Sequence, residues 1–402
     1  MSLNKLICNK DFRIFLFGQG VLCIGNSFGF IALTTMLVKL TGSGLNSIVG
    51  MMVSQIPSLV LAPIAGYMGD RFNIKYFSFG VDLLRSLVIL LFIGNNNINI
   101  VYGIMFILST IDSFASPVKR KLLACVIDEK DIMSANSLIS GVGGIVFIFC
   151  PVIAGLIINR MGTDIIFYIY SLLFVASAVS FTLIRTKVSK SSTKRSFSGG
   201  IKDAYNYFSN SPSIKDTIII SAVLCAATTA IGTAFYPFAF DTMKVSEQNW
   251  GVIISVYNGT NLIATMISIY FNKKLNRRMD LYIIISIFVT SVLWMFYCVF
   301  NDFKSVLLIQ FMEGTVLGLC GILLSTKIFS ATKKIYMARV LSFGDIINNT
   351  LRIAVTAITY ILLRYFSEKY IFMLGSTVLL IFVFVYCFSR ISRRLLAKNR
   401  IR

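Results

Sequence analysis

Leu379-Leu380-Ile381-Phe382-Val383-Phe384-Val385 is an unbroken apolar run with no alternation of apolar and polar positions. A membrane strand, with one face on lipid and the other on water, would alternate. The run is therefore predicted to be helical. It lies in a longer apolar stretch at 370–389, close to the ~20 residues that a helix needs to cross a bilayer core. Eleven more stretches of this kind precede it, at roughly 14–38, 45–68, 76–94, 98–118, 134–158, 164–184, 216–240, 250–271, 280–300, 305–326 and 340–363. Lipid offers no partner to a backbone amide, so each crossing must satisfy its own hydrogen bonds as a helix. The expected fold is an all-α membrane protein of twelve transmembrane helices in two six-helix halves.

Composition agrees with that class. The chain has 402 residues, 56% of them hydrophobic and only 14% charged. Its mean hydropathy is +0.80, and a soluble protein of this size needs more polar surface. The net charge of +21 could point to nucleic acid, but its placement does not. With the N-terminus inside, 29 of the 38 basic residues fall in inner loops or tails and 6 in outer ones. That bias is the positive-inside rule. It predicts a plasma-membrane protein with both termini cytoplasmic, with anionic lipid rather than nucleic acid as the partner of the basic excess.

Histidine is absent, which removes the commonest general base and metal ligand. The eight cysteines show no paired spacing, so neither a disulfide nor a metal site is expected. No phosphate-binding loop or dinucleotide fingerprint occurs, and no cofactor or enzymatic activity is expected.

The longest polar stretch, around 185–215, divides the chain. Its Ser/Lys-rich start reads as a flexible linker. Ile201, Ala204, Tyr205 and Phe208 then share one face of a short amphipathic helix, suited to the inner membrane surface. The expected domains are residues 1–185, a cytoplasmic linker at 186–213, and residues 214–402. A six-plus-six chain with a cytoplasmic middle loop is what secondary transporters built from two parallel repeats show. The loops Gly66–Lys75 and Tyr270–Arg278 correspond in the two halves, both short and basic.

Gly66, Asp70, Arg71 and Lys75 resemble the signature loop of the major facilitator superfamily, which follows the second of twelve helices. Further stretches resemble its drug-efflux branch, which includes macrolide exporters. These are Asp11-Phe12-Arg13, Phe17-Gly18-Gln19, Leu40-Thr41-Gly42-Ser43, Asp82 with Arg85, Pro117 ending the fourth helix, and Ser134-Ala135-Asn136-Ser137-Leu138. Cys150-Pro151 with Gly155 is similar to the glycine-proline motif of antiporters, with cysteine in place of the first glycine. The resemblance is strongest in the first half. It implies transport by alternating access. Asn26 stands where relatives often carry an acid, so the usual proton site is replaced.

In the signature loop, Asp70 can face a helix N-terminus, where negative charge is favoured. Arg71 and Lys75 can hold carboxylates or lipid phosphates. Together with Gly66 they form the expected conformational latch. Ionisable residues within lipid are expensive and default to functional candidates. Glu313, Asp112 and Asp345 are the proton-coupling candidates. Glu313 is isolated from basic neighbours on its helix, as suits a carboxyl that loads and releases protons, or one that stays neutral. Asp112 is either a proton site or the partner of Arg71 or Lys75. Asp82 and Arg85, three apart, share a helix face as a structural pair. Asp345, Asn348, Asn349 and Arg352 align over two turns. Gln19, Asn26, Asn258 and Asn261 complete the cavity candidates, with Thr229, Thr233 and Tyr236 beside them.

The expected function is export of amphiphilic drugs or natural products, macrolide-like in character, by proton antiport. Export of a self-made siderophore or peptide, and a non-transporting membrane scaffold or sensor, are the alternatives. A cysteine introduced at Lys194 in a cysteine-free background is expected to resist impermeant thiol reagents in intact cells. Labelling from outside would invert the topology.

Overall fold

The computed structural model describes residues 8–71, 74–127, 132–185, 211–332 and 337–399. The amphipathic linker helix expected at 201–208 lies outside the described residues. All the regular elements among the described residues are helical. They are α1 (Lys10–Thr41), α2 (Gly44–Arg71), α3 (Ile74–Leu90), α4 (Ile98–Val126), α5 (Ile132–Met161), α6 (Asp164–Thr182), α7 (Pro212–Pro237), α8 (Glu247–Tyr270), the short α9 (Asn272–Arg277), α10 (Met279–Val299), α11 (Phe303–Ala331), α12 (Met337–Leu363) and α13 (Glu368–Asn399). A π-helical turn, Phe238–Thr242, follows α7. Ten helices are long and apolar enough among the described residues to cross a membrane. The chain is therefore an all-helical, multi-pass membrane protein.

Several helices outrun the apolar stretches that announce them. α4 was expected to stop at Pro117, yet it continues to Val126. Proline inside a membrane helix is tolerated because neighbouring groups re-satisfy the freed carbonyl. As a result Asp112 lies near the middle of α4 rather than near its end, and Lys119 belongs to the helix rather than to a loop.

The chain divides into two compact units, Met1–Lys194 with Ala239–Gly259, and Arg195–Phe238 with Thr260–Arg402. In the first, α1 packs on α6 and α5, α3 on α6 and α4, and α2 on α4. In the second, α7 packs on α13 and α12, and α10 on α13 and α11. The first four pairings thus recur six long helices further along the chain.

Small residues set the closest approaches, as in other membrane bundles. Gly25 and Gly29 of α1 lie under the rings of Phe174 and Tyr170 on α6; a Cβ at Gly29 would come within 2.3 Å of Tyr170. α5 and α8 meet backbone to backbone. A Cβ on Gly251 would stand 2.3 Å from the Pro151 carbonyl oxygen, and one on Gly155 would stand 2.7 Å from that of Glu247. The corner between α1 and α2 is fastened to residues 239–259 of the same unit. The Gly44 amide and the Ser43 hydroxyl donate to the Asp241 carboxylate at 2.7 and 2.9 Å, which places an anion at the N-terminus of α2. Lys39 pairs with Glu247 at 2.8 Å.

Gly251→Ala is therefore expected to lower the melting temperature of the purified protein by several degrees, since overpacking costs about 1–3 kcal/mol. Gly321→Ala, with open space around it, serves as the control. Equal melting temperatures for the two variants would show that the α5–α8 contact is loose.

Candidate functional site

The first unit holds an open cavity of about 450 Å³, lined by both polar and apolar groups, among α1, α3, α4 and α5. Gln19, Cys23 and Asn26 reach it from α1, Arg85 from α3, Asp112 and Lys119 from α4, and Asn136 from α5. These positions follow from helical spacing. Gln19, Cys23 and Asn26 are four and three residues apart, and Asp112 and Lys119 are seven apart, so each set shares one face. Phe15, Leu22, Leu123 and Ile139 supply apolar wall.

A four-charge network stands at its edge. Asp82 is fully buried, and its Oδ1 takes Lys119 Nζ at 2.9 Å and Arg85 Nη1 at 3.3 Å. Its Oδ2 accepts from the Ser177 hydroxyl of α6 at 3.1 Å. Arg85 Nε pairs with Asp112 Oδ1. The guanidinium lies 4.2 Å from the centre of the Phe174 ring, and the Lys119 ammonium lies 5.6 Å from that of Phe181. Two carboxylates thus answer two cations, which is the condition under which charge can stay inside a bilayer. The Tyr170 hydroxyl donates to Asn26 Oδ1 at 3.5 Å. The Asn26 amide of α1 is therefore held by α6.

Glu313 sits elsewhere, in the second unit. Trp294 Nε1 donates to its Oε1 at 2.8 Å and the Tyr297 hydroxyl to its Oε2 at 2.6 Å. Both donors are fully buried, and the rings of Phe235, Phe238 and Phe372 surround Tyr297 at 5.3–5.9 Å. The carboxyl is capped at both oxygens and packed between α10 and α11.

The α12 stripe is split. Asp345, Asn349 and Arg352 are exposed, while Asn348 turns to α7 and donates to Ser221 Oγ at 3.3 Å. Asn258 donates to its own Ile254 carbonyl, and Thr229 and Thr233 likewise bond one turn back. Asn261 is exposed, close to Gly318 of α11. Gly66, Asp70 and Arg71 lie at the C-terminal end of α2; their side chains lie outside what the structure describes. Lys75, at the start of α3, is half-buried.

Cys23, Lys119, Asn136, Tyr170 and Ser177 were not singled out as site residues from the sequence. The seven-residue step from Asp112 to Lys119 was a usable signal, hidden by ending α4 at Pro117. Tyr170 and Ser177 carried none, since their roles depend on how α6 packs.

The sequence profile of the Major Facilitator Superfamily matches residues 15–357. The chain belongs to this family of membrane transporters. Two relatives from Bacillus subtilis (strain 168) are both uncharacterised MFS-type transporters. YfiS is 27% identical over 171 residues, 42% of this chain and 41% of its own length. YvqJ is 21% identical over 176 residues, 42% of each. The chain thus matches about two-fifths of the length of these relatives. Among solved structures, a bacterial homologue of the iron transporter ferroportin superposes with a TM-score of 0.75 at 13% identity, covering 96% of this chain and 99% of that one. The nucleoside transporter NupG superposes at 0.72 with 14% identity, covering 96% and 98%. At such identity these likenesses speak for the fold.

Asp82→Asn would leave Lys119 and Arg85 buried with their shared charge removed. Breaking a buried pair from one side costs about 3–5 kcal/mol, so Asp82→Asn is expected to yield little folded protein by detergent size-exclusion chromatography. Asp112→Asn, which leaves both cations on Asp82, should remain monodisperse. The reverse order would remove Asp82 from the centre of the network.

Proposed function

We propose that this transporter is a secondary active exporter of amphiphilic drugs or natural products, macrolide-like in size and character. It exchanges them for protons by alternating access across the plasma membrane, with both termini in the cytoplasm. The observation that carries this reading is the cavity of the first unit. There a partly open carboxylate, Asp112, stands among amides and apolar wall inside a membrane bundle. Amides offer hydrogen bonds to ethers, esters and carbonyls, and apolar wall takes hydrocarbon. A carboxyl with access to solvent can exchange its proton as the cavity turns from one side to the other.

Access ranks the acids. Glu313 was the first choice on isolation alone. Its enclosure by Trp294, Tyr297 and the phenylalanine rings favours a structural role and moves the proposed coupling site to Asp112. Asp345, exposed on α12 with Arg352 two turns on, is the reserve, as a charged stripe on a membrane helix requires a watery face. Gly66, Asp70, Arg71 and Lys75 form the proposed latch. The charge on Asp70 would hold the inner ends of the helices in one state.

Expressed in cells stripped of their own efflux pumps, the protein is expected to raise resistance to macrolides and other amphiphiles several-fold. A protonophore and Asp112→Asn should each abolish the gain, while Glu313→Gln should retain it. A gain that survives the protonophore would refute proton coupling. Asp70→Asn keeps volume and removes charge, so normal membrane insertion with most resistance lost is expected. Full resistance from a well-folded Asp70→Asn protein would reduce the loop to a topology signal.

A further inference from the structure

The four charges of the network are not equally open to solvent, and Arg85, Asp112 and Lys119 line the cavity. Side-chain exposure is 0% at Asp82, 5% at Arg85 and 11% at Lys119, against 42% at Asp112. The two cations are also covered. Lys119 is committed to Asp82, and Arg85 bridges Asp82 and Asp112. Each lies near an aromatic ring of α6, Phe174 for Arg85 and Phe181 for Lys119. Asp112 keeps Oδ1 against Arg85; among the described residues its Oδ2 has no partner. Arginine and lysine therefore line the cavity, yet the charge it presents to a solute is negative.

We propose that the cavity binds an amphiphilic organic monocation, with Asp112 Oδ2 as its counter-charge. This rests on the transporter reading above and specifies its substrate class. The network sets the valence. Asp82 and Asp112 balance Arg85 and Lys119, so the empty, ionised cavity is neutral. Protonation of Asp112 leaves one positive charge uncompensated, and binding of a monocation to ionised Asp112 leaves the same one. Both together would leave two in a low-dielectric site, which is strongly disfavoured. Proton and substrate therefore exclude one another at one carboxylate, and loss of one accompanies arrival of the other. Among the described residues, the charged and titratable groups around Asp112 are Asp82 and Arg85 of α3, Lys119 of α4, Tyr170 of α6 and Cys23 of α1. None of them offers the cavity a second open anion. The hydrocarbon of the ligand would lie on Phe15, Leu22, Leu123 and Ile139, and its polar atoms on Gln19, Asn26 and Asn136.

Tetraphenylphosphonium and tetraphenylborate have nearly the same shape and opposite charge. Binding of each to the full-length protein in lipid nanodiscs, measured above empty discs, isolates the sign of the site. Saturable phosphonium binding is expected, weaker at acid than at alkaline pH, with no saturable borate binding. Asp112→Asn should weaken phosphonium binding roughly tenfold or more, a loss of at least ~1.4 kcal/mol. Asp112→Glu should recover part of it. If Asp112→Asn does not fold, the phosphonium–borate comparison and its pH dependence in the wild type decide. Absent phosphonium binding, equal borate binding, or phosphonium binding unchanged by Asp112→Asn would overturn the proposal. Proton-driven export of a neutral amphiphile by a protein that fails this test would leave the transporter reading standing and the cation assignment refuted.

Discussion

A charge inside hydrocarbon has to be answered by another charge or by a dense set of hydrogen bonds, and this constraint organises the interior of both units. In the first, Asp82 draws in Lys119 and Arg85 and takes a hydroxyl from Ser177, tying α3, α4 and α6 together. In the second, Glu313 is met by an indole and a phenol from α10. Lys327 near the end of α11 reaches Asp280 at the start of α10 at 2.7 Å. The two solutions differ in consequence. Glu313 has a donor on each oxygen and is sealed, whereas Asp112 is answered on one side and open on the other. Function is proposed for the incomplete solution.

The same economy governs the apolar packing. Lipid tails are as apolar as leucine, so helices in a bilayer associate by close fit rather than by expelling water. Gly25 and Gly29 let α1 lie against the aromatic face of α6. That contact also brings the Tyr170 hydroxyl to Asn26 and the ring of Phe174 over Arg85. Packing and site are therefore one arrangement: the helix that covers the cations is held in place by the glycines opposite it.

The fold class was legible because hydropathy acts over the whole chain and tolerates local error. The pairing of Asp82 with Arg85 was legible from a spacing of three on one helix. What lay between helices was not. That Ser177 and Lys119 converge on Asp82 depends on the rotation of α4 and α6, which no period within one helix encodes. Ending α4 at Pro117 removed Lys119 from view, because the rule that proline stops a helix is weaker where neighbouring helices can satisfy the freed carbonyl. Glu313 was read as isolated from basic neighbours on its helix, but isolation does not reveal whether a group faces a cavity or an aromatic box. The stripe on α12 was read as one face, and Asn348 proves to be the edge turned to α7.

The central claim is that Asp112 carries the exchanged proton. In weakly buffered detergent solution, addition of tetraphenylphosphonium to the wild-type protein should release protons in proportion to the cation bound. Glu313→Gln should behave as the wild type, and Asp112→Asn should release none. Release that persists in Asp112→Asn and disappears in Glu313→Gln would contradict the account and return the coupling site to the sealed carboxyl of α11.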